Sequence, residues 1–118
     1  LRALLEQRSE ARAASFLSVL KKAGPQGRGL LSFLKPGFTL AMDLRNTGEP
    51  LQALARELDA ILLRYGGRLY LAKDALTTAE AFAQMYDNLP RFQRFKQQID
   101  PQMHFVSSQA RRLGIVEG

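Results

Sequence analysis

Residues 49–67, EPLQALARELDAILLRYGG, read as one amphipathic helix, and the rest of the sequence is placed around it. Pro50 stands at the first helical position, where a missing N–H costs nothing because the first-turn donors have no helical acceptor. Leu51, Leu54, Leu58, Ile61, Leu62 and Tyr65 recur at the spacing of one helix face, and Gly66-Gly67 closes the element. Upstream, Ala14 to Lys22 reads as a strand entering the loop at Gly24-Pro25. Leu30 to Leu34 reads as a short apolar strand, Lys35-Pro36-Gly37 as a turn, and Phe38 to Leu44 as a further extended run. Downstream, Arg68 to Leu71 reads as a short strand. Strand, strand, helix, strand, preceded by a helix at Leu1, Leu4 and Leu5, is the order of a split βαβ sandwich whose first strand is missing. The chain thus starts inside an element, and a fragment of a longer polypeptide is expected.

The C-terminal third is helical in pattern. Thr77 to Glu80 has capping-box spacing, followed by Phe82, Met85, Tyr86 and Leu89 on one face. Pro90 opens a further helix with Phe92, Phe95 and Ile99 on one side, which Asp100-Pro101 stops; Ser107 caps a last short helix that ends at Gly114. The expected class is α+β: one domain over residues 1–118, an antiparallel sheet with flanking helices, and a helical C-terminal tail.

Composition narrows the chemistry. Of 118 residues 46% are hydrophobic and 24% charged, the usage of a chain with a packed core. There is no cysteine and one histidine, His104, so thiolate nucleophiles, disulfides and multi-histidine metal cages are excluded, and no metal is expected. No apolar run approaches the roughly 20 residues of a membrane span. A soluble, cytoplasmic chain is expected, with membrane association of its parent left open. The net charge of +6 admits an anionic partner, but 11 carboxylates are scattered among 17 basic residues.

Most candidate motifs have a plain explanation. The glycines of Gly24-Pro25-Gln26-Gly27-Arg28-Gly29 lie between strands, whereas a dinucleotide fingerprint needs a strand before it and a helix after it. Asp43, Asp74, Asp87 and Asp100 have no spacing that pairs them for acid–base work, so solvated or capping roles are expected. His104 has no partner ligand nearby. The aromatic and glycine signature of RNA-recognition sheets is absent, and Arg91, Arg94 and Lys96 fit a solvated helix face, so no nucleic-acid partner is expected.

Residues 66–74, GGRLYLAKD, are different. On strand alternation Arg68 and Tyr70 share a face, and Lys73 follows at the strand end. Lys21 and Thr39 join them if their faces coincide, giving a cluster suited to an anionic or oxygen-rich ring. On physics alone a solvated lysine at a strand end is the commoner case.

These residues resemble a known family, the FAD-linked oxidoreductases of the vanillyl-alcohol oxidase type, in the branch of the decaprenylphosphoryl-ribose 2-oxidases and, more distantly, the aldonolactone oxidases. The resemblance rests on ordered blocks: residues 15–21, 31–33 and 36–43, then Gly66 to Asp74, Thr77-Thr78-Ala79-Glu80 with Met85-Tyr86, and Asp100-Pro101 with Ala110-Arg111-Arg112-Leu113. It implies the C-terminal part of a substrate or cap domain, whose sheet covers the flavin ring and whose FAD-binding domain lies upstream as the chain's partner. It implies Lys73 as the catalytic lysine at the flavin and substrate edge, Tyr70 as a ring-facing neighbour that binds cofactor and substrate, and Lys21, Thr39 and Arg68 as substrate-binding residues. Phe38, Thr39, Ala41 and Ala23 differ from the residues common at these positions in that branch, which implies a reshaped pocket. The activity implied is oxidation of a sugar, polyol or lactone hydroxyl. A reading from another class is a free-standing ferredoxin-like binding or regulatory module that associates, as a homodimer for example, through an open sheet edge.

Overall fold

A computed structural model describes residues 1–10 and 15–116. Ala14, the expected start of the first strand, lies outside the described residues. Helix α1 (Arg2–Glu10) precedes strands β1 (Ser15–Ala23) and β2 (Gly37–Leu44), helix α2 (Glu49–Arg64), a single 3-10 turn at Leu71–Lys73, and helices α3 (Ala79–Met85), α4 (Leu89–Ile99) and α5 (Ser108–Arg112). The class is α+β with an antiparallel sheet and a helical C-terminal tail, as the sequence predicts.

The helix signals act locally as read. Pro50 lies in the first turn of α2. At its end Gly66, at φ 64°, donates to Leu63 O at 3.1 Å and Gly67 donates to Leu62 O at 2.7 Å, the paired bonds of a left-handed glycine stop. Ser107 Oγ accepts from Ala110 N–H at 3.1 Å and caps α5. The cap of α3 is displaced by one residue: Thr78, not Thr77, accepts the Ala81 N–H, because Thr77 donates its hydroxyl to Asp59 on α2 at 2.6 Å.

Two expected strands are not formed. Leu30 to Leu34 is a turn and loop in which Ser32 N–H donates to Gly29 O at 3.0 Å and Leu31 packs on the helical core. A five-residue apolar run cannot distinguish a strand from a buried loop by periodicity. Arg68 to Leu71 is also irregular, since side chains take the carbonyls a ladder would use: Tyr86 Oη donates to Leu69 O at 2.7 Å and Gln109 Nε2 to Leu71 O at 2.6 Å. The described sheet therefore has two strands, and the strand expected at Arg68 to Leu71 to extend the split βαβ order is absent from it.

The core lies among the C-terminal helices. Phe82, Met85, Tyr86, Leu89, Leu113 and Ile115 form a buried cluster, against which Leu62 and Leu63 of α2, Leu69, Leu71 and Phe92 pack. Burying each large apolar side chain contributes roughly 1.5–3 kcal/mol before entropy is subtracted. Phe95, Ile99 and Tyr65, expected on apolar stripes, are instead 51%, 63% and 70% exposed. Tyr65 falls past the last turn of α2, and the inner side of α4 is made by Leu89 and Phe92. No helix packs broadly on the β hairpin among the described residues. The radius of gyration, 15.4 Å, exceeds the roughly 13.5 Å of a compact chain this long.

Candidate functional site

The hairpin places two expected site residues side by side. In the β1–β2 register Lys21 stands opposite Thr39, Val19 opposite Ala41 and Leu20 opposite Leu40. Directly opposed side chains share a face with Cβ atoms roughly 4.5–5.5 Å apart. Alternation puts Thr39, Ala41 and Asp43 on that same face, with Asp43 about 13 Å along the strand from Thr39.

Lys73 reaches this face from the turn that follows α2. It ends the 3-10 turn, with its N–H donating to Tyr70 O at 2.8 Å, and its Nζ lies 3.4 Å from Asp43 Oδ1. The result is a strip with Lys21 and Thr39 at one end, Lys73 and Asp43 at the other, and the small residues Val19 and Ala41 between. Both members of the Lys73–Asp43 pair are more than half exposed, so water screens the pair and it is worth roughly 0–1 kcal/mol. The ammonium is thus located by its backbone yet weakly committed to its partner, and an anionic or electron-rich group can replace Asp43 at low cost.

Tyr70 and Arg68 behave differently from the expected shared face, because the segment is not a strand. The ring of Tyr70, half exposed, stacks at a tilt on Phe33 with centroids 5.0 Å apart. The Arg68 side chain is only 4% exposed. Its guanidinium donates to Met85 O at 3.0 Å and Ser32 O at 2.8 Å and lies 5.3 Å from the centre of the Tyr86 ring. Arg68 therefore ties the hairpin loop to the helical core, with its donors turned inward.

Asp43 is the member of the strip that the sequence reading set aside as solvated or capping. The signal was present in the period-two spacing Thr39, Ala41, Asp43, but nothing in the sequence linked it to a lysine 30 positions away. Two other carboxylates, Asp59 and Asp100, are buried and structural. Asp59, 8% exposed, is raised above the ordinary carboxylate pKa by burial, an effect the Thr77 hydrogen bond reduces. Asp100 is held down to about 2 by the hydrogen bond from Lys96 and by the Phe105 and His104 N–H groups, fixing the bend after α4. His104, exposed, pairs with Gln102 at 2.7 Å. Among the described residues no group of three or more His, Cys, Asp or Glu is arranged to hold a metal ion.

Two shallow concavities lie on the helical side. One of about 350 Å³ runs along Ala79, Ala83, Pro90 and Gln93; another of about 570 Å³ is bordered by Phe92, Lys96, His104 and Phe105. Neither contains any of the five expected site residues. The Lys73–Asp43 and Lys21–Thr39 pairs lie instead on the open sheet face.

A flavin suits this donor set at one place. Lys73 and Lys21 supply cations, and Thr39 and Tyr70 supply hydroxyls, all exposed or partly exposed, which is what the edge of an anionic ring and an oxygen-rich substrate require. The only glycine-rich stretch, Gly24 to Gly29, joins β1 to β2 and does not open a helix, so the diphosphate of a dinucleotide is not provided for by these residues.

Residues 41–113, from the middle of β2 through α5, match the profile of the family described as D-arabinono-1,4-lactone oxidase. The chain belongs to this family. It is 41% identical over 106 residues to the decaprenylphosphoryl-beta-D-ribose oxidase of Mycolicibacterium smegmatis, covering 86% of this chain and 22% of that protein. It is 35% identical over 115 residues to an uncharacterized Streptomyces coelicolor protein encoded in the mprA 5′ region, covering 98% of this chain and 31% of that one. The chain thus spans less than a third of the length of these curated relatives. The resemblance read from the ordered sequence blocks, to the C-terminal region of FAD-linked oxidases in this branch, is borne out. The matched segment contains Asp43, Arg68, Tyr70 and Lys73, while Lys21 and Thr39 precede it.

Proposed function

We propose that this chain is the C-terminal cap-domain portion of an FAD-dependent oxidoreductase that oxidises a hydroxyl-bearing carbon of a sugar, polyol or lactone, its FAD-binding domain being supplied upstream. The carrying observation is the Lys73 ammonium, 3.4 Å from Asp43 above the sheet face that bears Lys21 and Thr39. Family membership and the name of the Mycolicibacterium relative support the substrate class.

When bound, the flavin supplies the two-electron acceptor. Lys73 contributes a fixed positive charge where negative charge develops, a stabilisation that is strongest when the site is closed to water. Thr39 and Lys21 orient substrate oxygens at the opposite end of the strip. Tyr70, stacked on Phe33, presents an aromatic ring and a phenol beside the Lys73 turn. Arg68, first expected to meet substrate, is assigned to holding the segment of Tyr70 and Lys73 against the hairpin loop. Asp43 keeps the ammonium paired until a more basic or anionic group displaces it.

The test is the visible absorption spectrum of the full-length gene product purified without added cofactor, compared with that of this chain. Flavin bands in the full-length protein alone are the expected result, and they lead to screening sugars, polyols and lactones for anaerobic bleaching. In that protein Lys73→Met slows flavin reduction by about 10²–10³-fold with FAD content unchanged. Unchanged reduction kinetics would sink the role of Lys73. A colourless product no longer than this chain would favour the binding-module reading, for which the small two-stranded sheet among the described residues offers a frame.

A further inference from the structure

If Lys73 meets the flavin and substrate edge, as just proposed, its placement needs a cause, because the residue lies in an irregular segment with no strand ladder to hold it. That cause is found in the last helix. Gln109 Nε2 donates to Leu71 O at 2.6 Å and to Asp74 Oδ2 at 2.8 Å. Arg112 donates from one guanidinium nitrogen to Asp74 O at 3.1 Å, while the other lies 3.0 Å from Asp74 Oδ2. The carbonyl two residues before Lys73 and the carbonyl one residue after it are therefore both held by side chains three positions apart, on one face of α5.

The clamp is anchored at both ends. Asp74 is 8% exposed, and its carboxylate is matched by the guanidinium, a paired geometry that is firm when partly desolvated. Thr77 N–H returns to Asp74 O at 3.2 Å, closing the turn after Lys73. Helix α5 is capped by Ser107 and stopped at Gly114 (φ 64°), from which Ile115 donates to Ala110 O at 2.8 Å. Leu113, 1% exposed, and Ile115, 8% exposed, then seat it in the core.

We infer that Gln109 and Arg112 are positioning residues: acting through the Leu71 and Asp74 carbonyls and the Asp74 carboxylate, they fix where the Lys73 turn stands over the β1–β2 face. In this way residues of α5 would act on the sheet face without packing against the hairpin. The lysine side chain keeps its rotamers, but its root does not wander. That combination suits a group that must meet a ring edge at one place and still exchange partners.

The experiment uses the full-length flavoprotein with three single variants, Arg112→Gln, Gln109→Leu and Lys73→Met, and the double variant Arg112→Gln/Lys73→Met. The ligand probe is sodium sulfite, whose addition to oxidised flavin creates negative charge and is read as loss of visible absorbance. The geometric readout is hydrogen exchange of the Lys73 and Thr77 amides, which are bonded to Tyr70 O and Asp74 O. Expected are a tenfold or greater loss of sulfite affinity in Arg112→Gln, a smaller loss in Gln109→Leu, and a double variant no weaker than Lys73→Met alone. Exchange at the two amides accelerates at least tenfold in Arg112→Gln, while amides of the 82–89 core segment stay protected. Wild-type sulfite affinity and exchange in both clamp variants overturn the inference, as does a double variant whose losses multiply, since Arg112 then acts independently of Lys73. Should Arg112→Gln not fold, Gln109→Leu, which leaves the Arg112–Asp74 pair intact, decides by the same two readouts. Undiminished sulfite affinity in Lys73→Met is a different failure: it removes the reading of Lys73 itself and the inference with it.

Discussion

Replacing Arg68 with Met separates a structural guanidinium from a substrate-binding one. The stem of Met occupies much of the same space, so the change isolates the charged head. Two carbonyls, Met85 O and Ser32 O, lose their donors in a part of the molecule where the arginine side chain is 4% exposed. Leaving a buried acceptor without a partner costs about 1–3 kcal/mol each. The cation over the Tyr86 ring, 5.3 Å from its centre, adds about 1 kcal/mol. The approach to Asp87 at 3.8 Å adds little, because that carboxylate is 78% exposed. Relief from desolvating the guanidinium offsets part of this, leaving an expected loss of about 3 kcal/mol. With a urea slope of about 1–3 kcal/mol per molar, the unfolding midpoint of the variant falls by about 1–3 M. Far-ultraviolet circular dichroism of the purified chain in urea measures it. A double-mutant cycle with Tyr86→Leu is expected to return a coupling of about 1 kcal/mol, the part due to the ring. A midpoint within about 0.3 M of the parent refutes the reasoning, because so small a change is that of a solvated arginine whose donors were free for substrate.

Two further outcomes follow from the buried titrating groups. Tyr86 is pushed up to about 12, chiefly by burial, while an unfolded tyrosine titrates near 10. Between those values the unfolded chain has lost a proton that the folded chain keeps, so this group makes stability fall as pH rises from about 10 to 12, and Tyr86→Phe flattens that slope in pH-dependent urea titrations while losing about 1 kcal/mol at pH 7 with the bond to Leu69 O. Asp59 is raised by burial, so below its unfolded value of 3.8 it costs nothing, and its contribution becomes unfavourable as pH climbs through the folded value. Asp59→Asn keeps an acceptor for the Thr77 hydroxyl and is expected to raise the melting temperature at pH 7 relative to pH 3; an equal change at both values refutes the assignment.

Elements set by local chemistry were legible in the residues, and elements set by distant partners were not. Pro50, Gly66, Ser107 and Gly114 act within one turn of themselves, so α2 and α5 end where the sequence says they do. The misread strand at Arg68 to Leu71 has the right composition, but Tyr86 and Gln109, 17 and 38 residues away, claim its carbonyls. The site divides in the same way. That Lys21 and Thr39 share a face is a period-two statement requiring only the register of one hairpin, and the structure supplies it. Arg68 looks like a site residue because it stands two positions from Tyr70, and only tertiary contacts reveal that its donors are turned inward. Asp43 was hidden for the converse reason, since an exposed aspartate on a strand carries no local mark of the lysine it meets.

Beside the packing of Leu31 on the core and of Phe33 on Tyr70, three described contacts between the hairpin with its loop and the helical body are cations gripping oxygen atoms. Arg68 holds Ser32 O, Lys35 holds Gly66 O at 3.0 Å, and Lys73 meets Asp43. Long side chains on hydrogen bonds make a softer joint than interlocked apolar surfaces. At these three tethers the spacing between hairpin and helical body is therefore set by long side chains, a softer link than the apolar contacts beside them. Two of the tethers, at Lys35 and Lys73, are exposed, so their stiffness declines as ionic strength rises.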